Sequence, residues 1–477
     1  GVKPMPNTGN SLTAKVRARY DRIRKEQEDD KKEWLAAAFR ATQADDQEYG
    51  NWWTRWRTQQ RDEAADKKDK RDFDYRKQKD EQQQSNWQAT FDRQGEQWAK
   101  QFEEGKRQFN VSSSQAQQRE ALLSRLGDLQ ARGYMFGHQD DPFYGLTWSG
   151  IEDPSRPERG RSDVKETCGD YPAVMGFDLG GIEMGDAKNL DSVPFTRIRE
   201  ELLAHVERGG IVTLSWHPRN PLTGGTAWDN GDTTVVESIL PGGTQHRKFL
   251  VWMKHVRNFL STLKSADGQP VPIIFRPWHE NNGAWFWWGS KQCTPQQYRA
   301  LWCMLQDYLL SEGFDNLVWS WSPNLGVHLP PKLGGDRGLN KITDDGCSDP
   351  QPPNLGGLGY PGDDRVDLLG LDAYQWGTEQ EFVSQLNADL TVLSSYAAEK
   401  GKLIALTECG LKNLPDPTWW TRVLKPQIDK YPICYFLVWR NAKHEYFGPA
   451  PGEKNALYFN EMIRNRNVLM LKDIARY

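Results

Sequence analysis

Between residues 134 and 439 the chain presents eight short apolar runs, each followed by a loop rich in Gly, Pro, Asn and Asp and most of them by a helix-like stretch. The runs are Tyr134–Gly137, Ala173–Asp178, Ile211–Trp216, Pro272–Pro277, Leu317–Trp321, Val366–Leu371, Leu403–Glu408 and Cys434–Trp439. Helical candidates between them include Phe195–Arg208, Arg247–Leu263, Pro295–Ser311, Glu379–Lys400 and Trp419–Lys430. Runs that are apolar at consecutive positions describe strands buried on both faces, the property of a parallel sheet covered by helices. Strand–helix alternation over about 360 residues predicts one α/β domain, a parallel (β/α)8 TIM barrel with long loops. A doubly wound open sheet is the alternative. It calls for a glycine-rich phosphate turn after the first strand, and "GHQDDPFYG" (137–145) is not one.

The stretch before the barrel obeys different rules. Residues 11–110 are dominated by Lys, Arg, Glu, Asp and Gln, strong helix formers with almost no Val, Ile, Pro or Gly among them. Trp87, Phe91, Trp98, Phe102 and Phe109 alternate in steps of four and seven. The resulting eleven-residue repeat holds an aromatic stripe on one helical face with slight right-handed supercoiling. A lone helix cannot bury such a stripe, which implies a helical partner or copies of the chain. The expectation is therefore two parts: a charged, largely α-helical stalk, oligomerisation or anchoring segment at 1–115, and a catalytic barrel at 116–477.

Several classes are disfavoured. The net charge of −4 gives no global basic excess for nucleic acid. No apolar run reaches the roughly 18 residues of a membrane span. Gly1-Val2-Lys3-Pro4 carries no signal-peptide core. The chain is thus expected to be cytosolic, to have lost its signal, or to travel with something larger. The six cysteines (Cys168, Cys293, Cys303, Cys347, Cys409 and Cys434) show no C-x-x-C and no zinc-finger spacing, and could be disulfide-bonded or free. Cys409 and Cys434 lie in apolar stretches and read as buried thiols.

Catalytic groups of such a barrel gather at the C-terminal ends of the strands, and ionisable residues recur there. The ends carry His138, Gln139, Asp140 and Asp141; Asp178; His217 and Asn220; Arg276, His279, Glu280 and Asn281; Asn324; Asp372 and Tyr374; Glu408; and Trp439, Arg440 and Asn441. Glu280 and Glu408 each follow an apolar run directly, where a carboxylate needs partners or a function. They could be salt-bridge partners of Arg276 or Arg440. They could instead be a reactive pair, because strands four and seven lie roughly across the mouth from one another. Glycoside hydrolysis needs two such carboxyl groups, about 5–5.5 Å apart for retention. The acid should be raised in pKa by its partner's charge, and the nucleophile held ionised by hydrogen-bond donors. The 21 tryptophans fit a sugar-handling protein, since pyranose faces stack on indole. His138, Asp140 and Asp141 could be read as metal ligands, but adjacent acids in a turn more often bond backbone. No catalytic metal is expected.

"FRPWHENNGAWFWWG" (275–289), "LTECG" (406–410), "GGIVTLSWHPRNP" (209–221), "GHQDDPFYG" and "LVWRNA" (437–442) together closely resemble glycoside hydrolase family 26, chiefly its endo-β-1,4-mannanases. The resemblance runs from about Gly133 to Leu457. It implies that Glu280 is the general acid/base and Glu408 the nucleophile. It implies substrate contacts from His217, His279, Trp285 and Trp228, with Tyr374 hydrogen-bonded to the nucleophile and Asp372 near it. Trp439 becomes the platform beneath the sugar whose bond breaks, with Arg440 and Asn441 beside it. Cys409 departs from the residue that often follows the nucleophile. Trp278, Trp287 and Trp288 are left to packing, and Asp178 to hydrogen bonding. No cofactor is implied, and an extracellular location is. "NWQATFDRQGEQWAKQFEEGKRQF" (86–109) resembles the aromatic-spaced repeats of phage tail-fibre proteins, which implies self-association or attachment to a larger assembly. The leading reading is a retaining endo-β-1,4-mannanase acting on β-mannan or manno-oligosaccharides. The alternatives are a β-1,3-xylanase or mixed-linkage β-glucanase of the same fold, or a non-catalytic polysaccharide-binding fibre tip.

Overall fold

The computed structural model describes residues 109–151, 159–327 and 358–475. All of them belong to a compact unit running from Gly105 to the C-terminus. Trp87, Phe91, Trp98 and Phe102 of the aromatic stripe, and Cys347, lie outside the described residues. The helix Phe109–Gln130 runs across the boundary expected between residues 115 and 116, so that boundary falls inside one continuous element.

Eight parallel strands form the barrel: β1 (Tyr134–Gln139), β2 (Val174–Asp178), β3 (Ile211–Ser215), β4 (Ile273–Arg276), β5 (Leu317–Trp321), β6 (Leu368–Tyr374), β7 (Leu403–Gly410) and β8 (Ile433–Val438). They pair in sequence order, and β1 closes on β8 through Met135–Tyr435 to His138–Val438. Every residue of the eight strands is buried except Tyr374, at the end of β6. Burial on both faces is why the runs read as continuously apolar rather than alternating. The expected helices Pro295–Ser311 and Glu379–Lys400 have those limits, and each opens on a threonine capping box, Thr294 with Gln297 and Thr378 with Glu381. The expected helix 419–430 is instead a π-turn, Trp420–Leu424, followed by the short helix Lys425–Ile428. The short helices Asp163–Cys168, Val235–Ile239 and Asn455–Ile463 had no periodic signal long enough to be read.

The helix Phe109–Gln130 belongs to the end of the barrel opposite the mouth. Its Arg119 donates twice to Asp367, immediately before β6, at 3.0 and 2.8 Å. Its Arg125 reaches the carbonyls of Gly209 and Ile474. Among the described residues the five cysteines carry free thiols, and Cys409 and Cys434 are fully buried. No described helix is long and apolar enough to cross a membrane.

Candidate active site

Two local features aim the ionisable groups of the strand ends at one point. The first is at the end of β4, where Trp278 and Glu280 both take positive φ, 55° and 53°. Non-glycine residues seldom adopt this region, at a cost of about 1–3 kcal/mol each. The turn is held by the Glu280 N–H, which donates to the Ser322 carbonyl beyond β5 at 2.7 Å, and by Tyr298, whose hydroxyl donates to the Trp278 carbonyl. Aromatic packing fixes the rest. Trp278, Trp287 and Trp288 are fully buried and meet edge to face at 5.1–5.6 Å, while Trp288 Nε1 donates to the His279 carbonyl.

The second feature is a bulge in β7. Leu371 of β6 pairs with Leu406, but Asp372 pairs with Glu408, so Thr407 is an extra residue. Against β8 one residue between Leu406 and Cys409 is likewise extra, since Leu406 pairs with Phe436 and Cys409 with Val438. The bulge lets two consecutive residues serve one centre. Thr407 donates to Asp372 Oδ1 at 2.8 Å, and Glu408 joins the same cluster.

At that centre lies Arg276, only 2% exposed. Its guanidinium donates to Asp372 Oδ2 at 3.0 Å and to Glu408 Oε1. Burial alone would make it a weaker base, but the two carboxylates outweigh that and raise its pKa. Tyr374 donates to the other Glu408 oxygen at 2.6 Å. Glu280 lies on the same cluster, partly exposed at the cleft. Desolvation and then the charge of Glu408 raise its carboxyl to about 7. Trp285 Nε1 donates to Glu280 Oε2 at 2.6 Å. Asp372 is also pushed well up, first by burial and then by Glu408 and Glu280, against the opposing pull of Arg276. Arg276 thus bonds two of the three carboxyl groups, and the third, Glu280, keeps a proton up to about pH 7.

A histidine pair borders the cluster. His217 Nδ1 bonds Asp178 Oδ2 at 2.6 Å, and its Nε2 lies 3.1 Å from His279 Nε2, which is 3.9 Å from Glu408 Oε1. Burial works against a charge on His217, yet the Asp178 carboxylate more than compensates and raises its pKa. His279 is pushed well below the usual range by burial and then by the charges of His217 and Arg276. When His217 carries the proton that Asp178 favours, its Nε2 donates to His279 Nε2. Asp178 accepts four donors: the amides of Gly180 and His217, Ser215 Oγ and the His217 ring. Burial opposes its charge, but these partners bring its pKa below the usual value.

The loops after β3 and β4 hold each other. Asn230 donates to the carbonyls of Ala284 and Trp285, and the Trp287 N–H donates to Ala227. Trp228, 49% exposed, stacks on His217 at 5.2 Å and 17°. Trp439 is partly exposed and lies 6.1 Å from the same imidazole. Arg440 pairs with Asp191, and Tyr144 binds Asp140 Oδ2. Burial and then Asp191 raise Asp140 to about 8.

Most of the expected residues therefore meet at one mouth, but not all face it. Asn441 is fully buried and corrects its expected place in the cleft lining. Its amide donates to Asp163 and the Pro449 carbonyl and accepts from the amides of Phe447 and Gly448, which ties the loop after β8. Asp372 and His279, at 0% and 1% exposure, lie below the cleft floor. Arg276 reads from sequence only as a possible salt-bridge partner of Glu280 or Glu408, and the structure pairs it with Glu408 and also with Asp372. His279, Asp372 and Glu408 present atoms within 4.8 Å of one another, a spacing that a metal ion could use. Arg276 already gives both carboxylates their positive partner. His138 bonds Asp141 and Asp140 bonds Tyr144, so these three do not converge as ligands.

With this geometry established, the chain compares as follows. The family model described as glycosyl hydrolase family 26 matches residues 111–466. A mannan endo-1,4-beta-mannosidase from Bifidobacterium adolescentis is 35% identical over 260 residues, 52% of this chain and 24% of that protein. One from Bacillus subtilis strain 168 is 27% identical over 64% of this chain and 75% of its own length. The solved structure of a GH26 beta-mannanase from Bacteroides ovatus is 42% identical with a TM-score of 0.66, covering 75% of this chain and 95% of that one. The chain spans only about a quarter to a half of the first curated relatives it matches.

Proposed function

The chain belongs to glycosyl hydrolase family 26, and from that premise we propose that it is a retaining, endo-acting β-1,4-mannanase. Its substrates are mannan, glucomannan or galactomannan, and it needs no cofactor. One observation carries the reading. Two carboxyl groups from opposite sides of the mouth belong to a single charged cluster, one raised to about 7 under an indole N–H and the other held by Arg276 and Tyr374. This is the division of labour that glycoside hydrolysis requires.

In the first step Glu280 gives its proton to the glycosidic oxygen. A Glu408 oxygen attacks the anomeric carbon as the bond to the leaving sugar breaks. Loss of that proton leaves Glu280 as the base that deprotonates water, and the water displaces Glu408 with a second inversion. Trp439 serves as the stacking platform under the reacting sugar. His217, Trp228, Trp285 and Arg440 contact the chain, and Tyr374 and Arg276 hold the nucleophile's two oxygens. His279, beneath, orients His217 and Glu408. The names of the relatives favour mannan over xylan or mixed-linkage glucan.

The test is hydrolysis of mannan, xylan and lichenan side by side, with the anomeric configuration of the first product followed by NMR. The expected result is cleavage of mannan with retention, and turnover reduced at least a thousandfold in Glu408→Ala. An inverted product, or wild-type turnover in that variant, refutes the mechanism. Inert mannan beside a hydrolysed second glycan refutes the substrate. Attachment or self-association through residues 1–115, and an extracellular location, belong to the same proposal. Light scattering on the full chain, with a monomer as the refuting result, tests the association.

A further inference from the structure

Among the described residues Trp376 is the most exposed of the large apolar side chains, at 69%. An indole left this open loses the hydrophobic stabilisation it would have in the core, and a single exposed apolar residue needs no function. Trp376 differs from a stray surface residue in how firmly it is held. It stacks on Tyr374 at 5.4 Å and 24°, and its edge meets Phe447 at 6.5 Å and 88°. Phe447 is itself buried and packs edge-on against Tyr374 at 5.4 Å. The intervening Gln375 is fixed at both ends. Its N–H donates to the Gly410 carbonyl at 3.0 Å, and its Oε1 accepts from Trp419 Nε1 at 2.8 Å.

The placement is as informative as the rigidity. The Tyr374 hydroxyl that supports this stack is the one that donates to Glu408. From Glu408 the contacts continue through His279 at 3.9 Å and His217 at 3.1 Å to Trp228, which stacks on His217 as Trp376 stacks on Tyr374. His217 follows β3 and Glu408 is on β7, and these are opposite staves in an eight-stranded barrel. The line of contacts therefore crosses the mouth and ends on each side in a half-open or open indole.

We propose that Trp376 is the stacking platform of a distal sugar subsite on the β6 side of the cleft. It takes the apolar face of a β-linked hexopyranose belonging to the same polysaccharide chain that is cut between Glu280 and Glu408. The proposal rests on the mannanase reading for the identity of the sugar, but the platform itself depends on any β-linked hexopyranose chain lying across the mouth. It predicts that Trp376 acts on long substrates and not on short ones.

The experiment is calorimetric titration of the full-length Glu280→Gln protein, with and without Trp376→Ala or Trp376→Phe. Mannotriose, mannohexaose and cellohexaose are the probes. The expected result is that Trp376→Ala weakens mannohexaose binding about tenfold, which corresponds to about 1.4 kcal/mol. Mannotriose binding should change less than twofold, and Trp376→Phe should recover most of the loss. Unchanged hexaose affinity overturns the proposal. So does an equal loss for triose and hexaose, which would mean a purely structural role through Tyr374. If cellohexaose binds and shows the loss while mannohexaose does not bind, the subsite stands and the mannan reading fails. If mannohexaose binds equally well to both proteins, the subsite fails and the mannan reading stands. Failure of every glycan to bind overturns both.

Discussion

Glu280 carries a stability cost that its chemistry requires, and replacing it by glutamine should expose that cost as a pH dependence. Its carboxyl is raised from 4.5 to about 7 by burial and by Glu408. Below pH 4.5 the group is protonated whether the chain is folded or not, so it makes no difference to folding. Between 4.5 and about 7 the unfolded chain releases the proton while the folded protein keeps it, and stability falls as pH rises. Above about 7 both states are ionised and the deficit is constant. The displacement from 4.5 to about 7 sets a ceiling of about 3 kcal/mol. Asp372 can take up part of the proton, so about 2–3 kcal/mol is the expected size. For the unit Gly105–Tyr477, roughly 370 residues, an unfolding entropy of about 2.1 cal/mol/K per residue converts this to about 3–4 °C. Thermal unfolding of wild type and Glu280→Gln should therefore give a gap in Tm that widens from pH 4.5 to 7, in favour of the variant, and then stays level. In the wild type the alkaline limb of kcat/KM should fall near the same pH, because the general acid is lost there. Parallel Tm curves across that range, or a gap that widens with falling pH, would refute the reasoning about Glu280.

Three further outcomes follow from the same geometry. A Cβ at Gly283 would lie 2.2–2.5 Å from the Trp285 ring. Gly283→Ala should therefore displace the indole from Glu280 and lower kcat/KM at least tenfold, with little change in far-UV circular dichroism. Removing the buried guanidinium in Arg276→Met leaves Asp372 and Glu408 without their counter-charge. It should cost about 3–5 kcal/mol in denaturant unfolding at neutral pH, and less as the pH falls and Asp372, whose carboxyl is pushed well up, takes a proton. In Asp178→Asn the His217 pKa should fall, since that carboxylate is what raises it. NMR titration of the ring measures the shift, and an unmoved His217 would contradict the assignment of the charge.

The eight apolar runs and the acidic or basic residues that close them were enough to specify a closed parallel barrel and to place Glu280 and Glu408 on one rim. That much is local: a strand buried on both faces must be apolar along its length, and whatever ends it reaches the rim of the mouth. The through-space relations were not legible. The extra residue Thr407, which brings Glu408 level with Asp372, is a register relation between strands and leaves no mark on β7 by itself. Arg276 is from sequence a candidate partner for either glutamate, and only barrel closure puts it between Asp372 and Glu408, whose charges it must balance. The opposite pKa shifts of His217 and His279 have the same origin, because they depend on which of two similar rings lies against Asp178. Asn441 shows the limit most plainly. A polar residue after β8 looked suited to the cleft and is buried in hydrogen bonds to Asp163 and its own loop, while Trp376, which no sequence pattern singled out, stands open. Sequence settles which residues reach the mouth, because periodicity is a property of each strand alone. Which of them face it, and in what state of charge, is decided by neighbours distant in the chain, and so only by the tertiary structure.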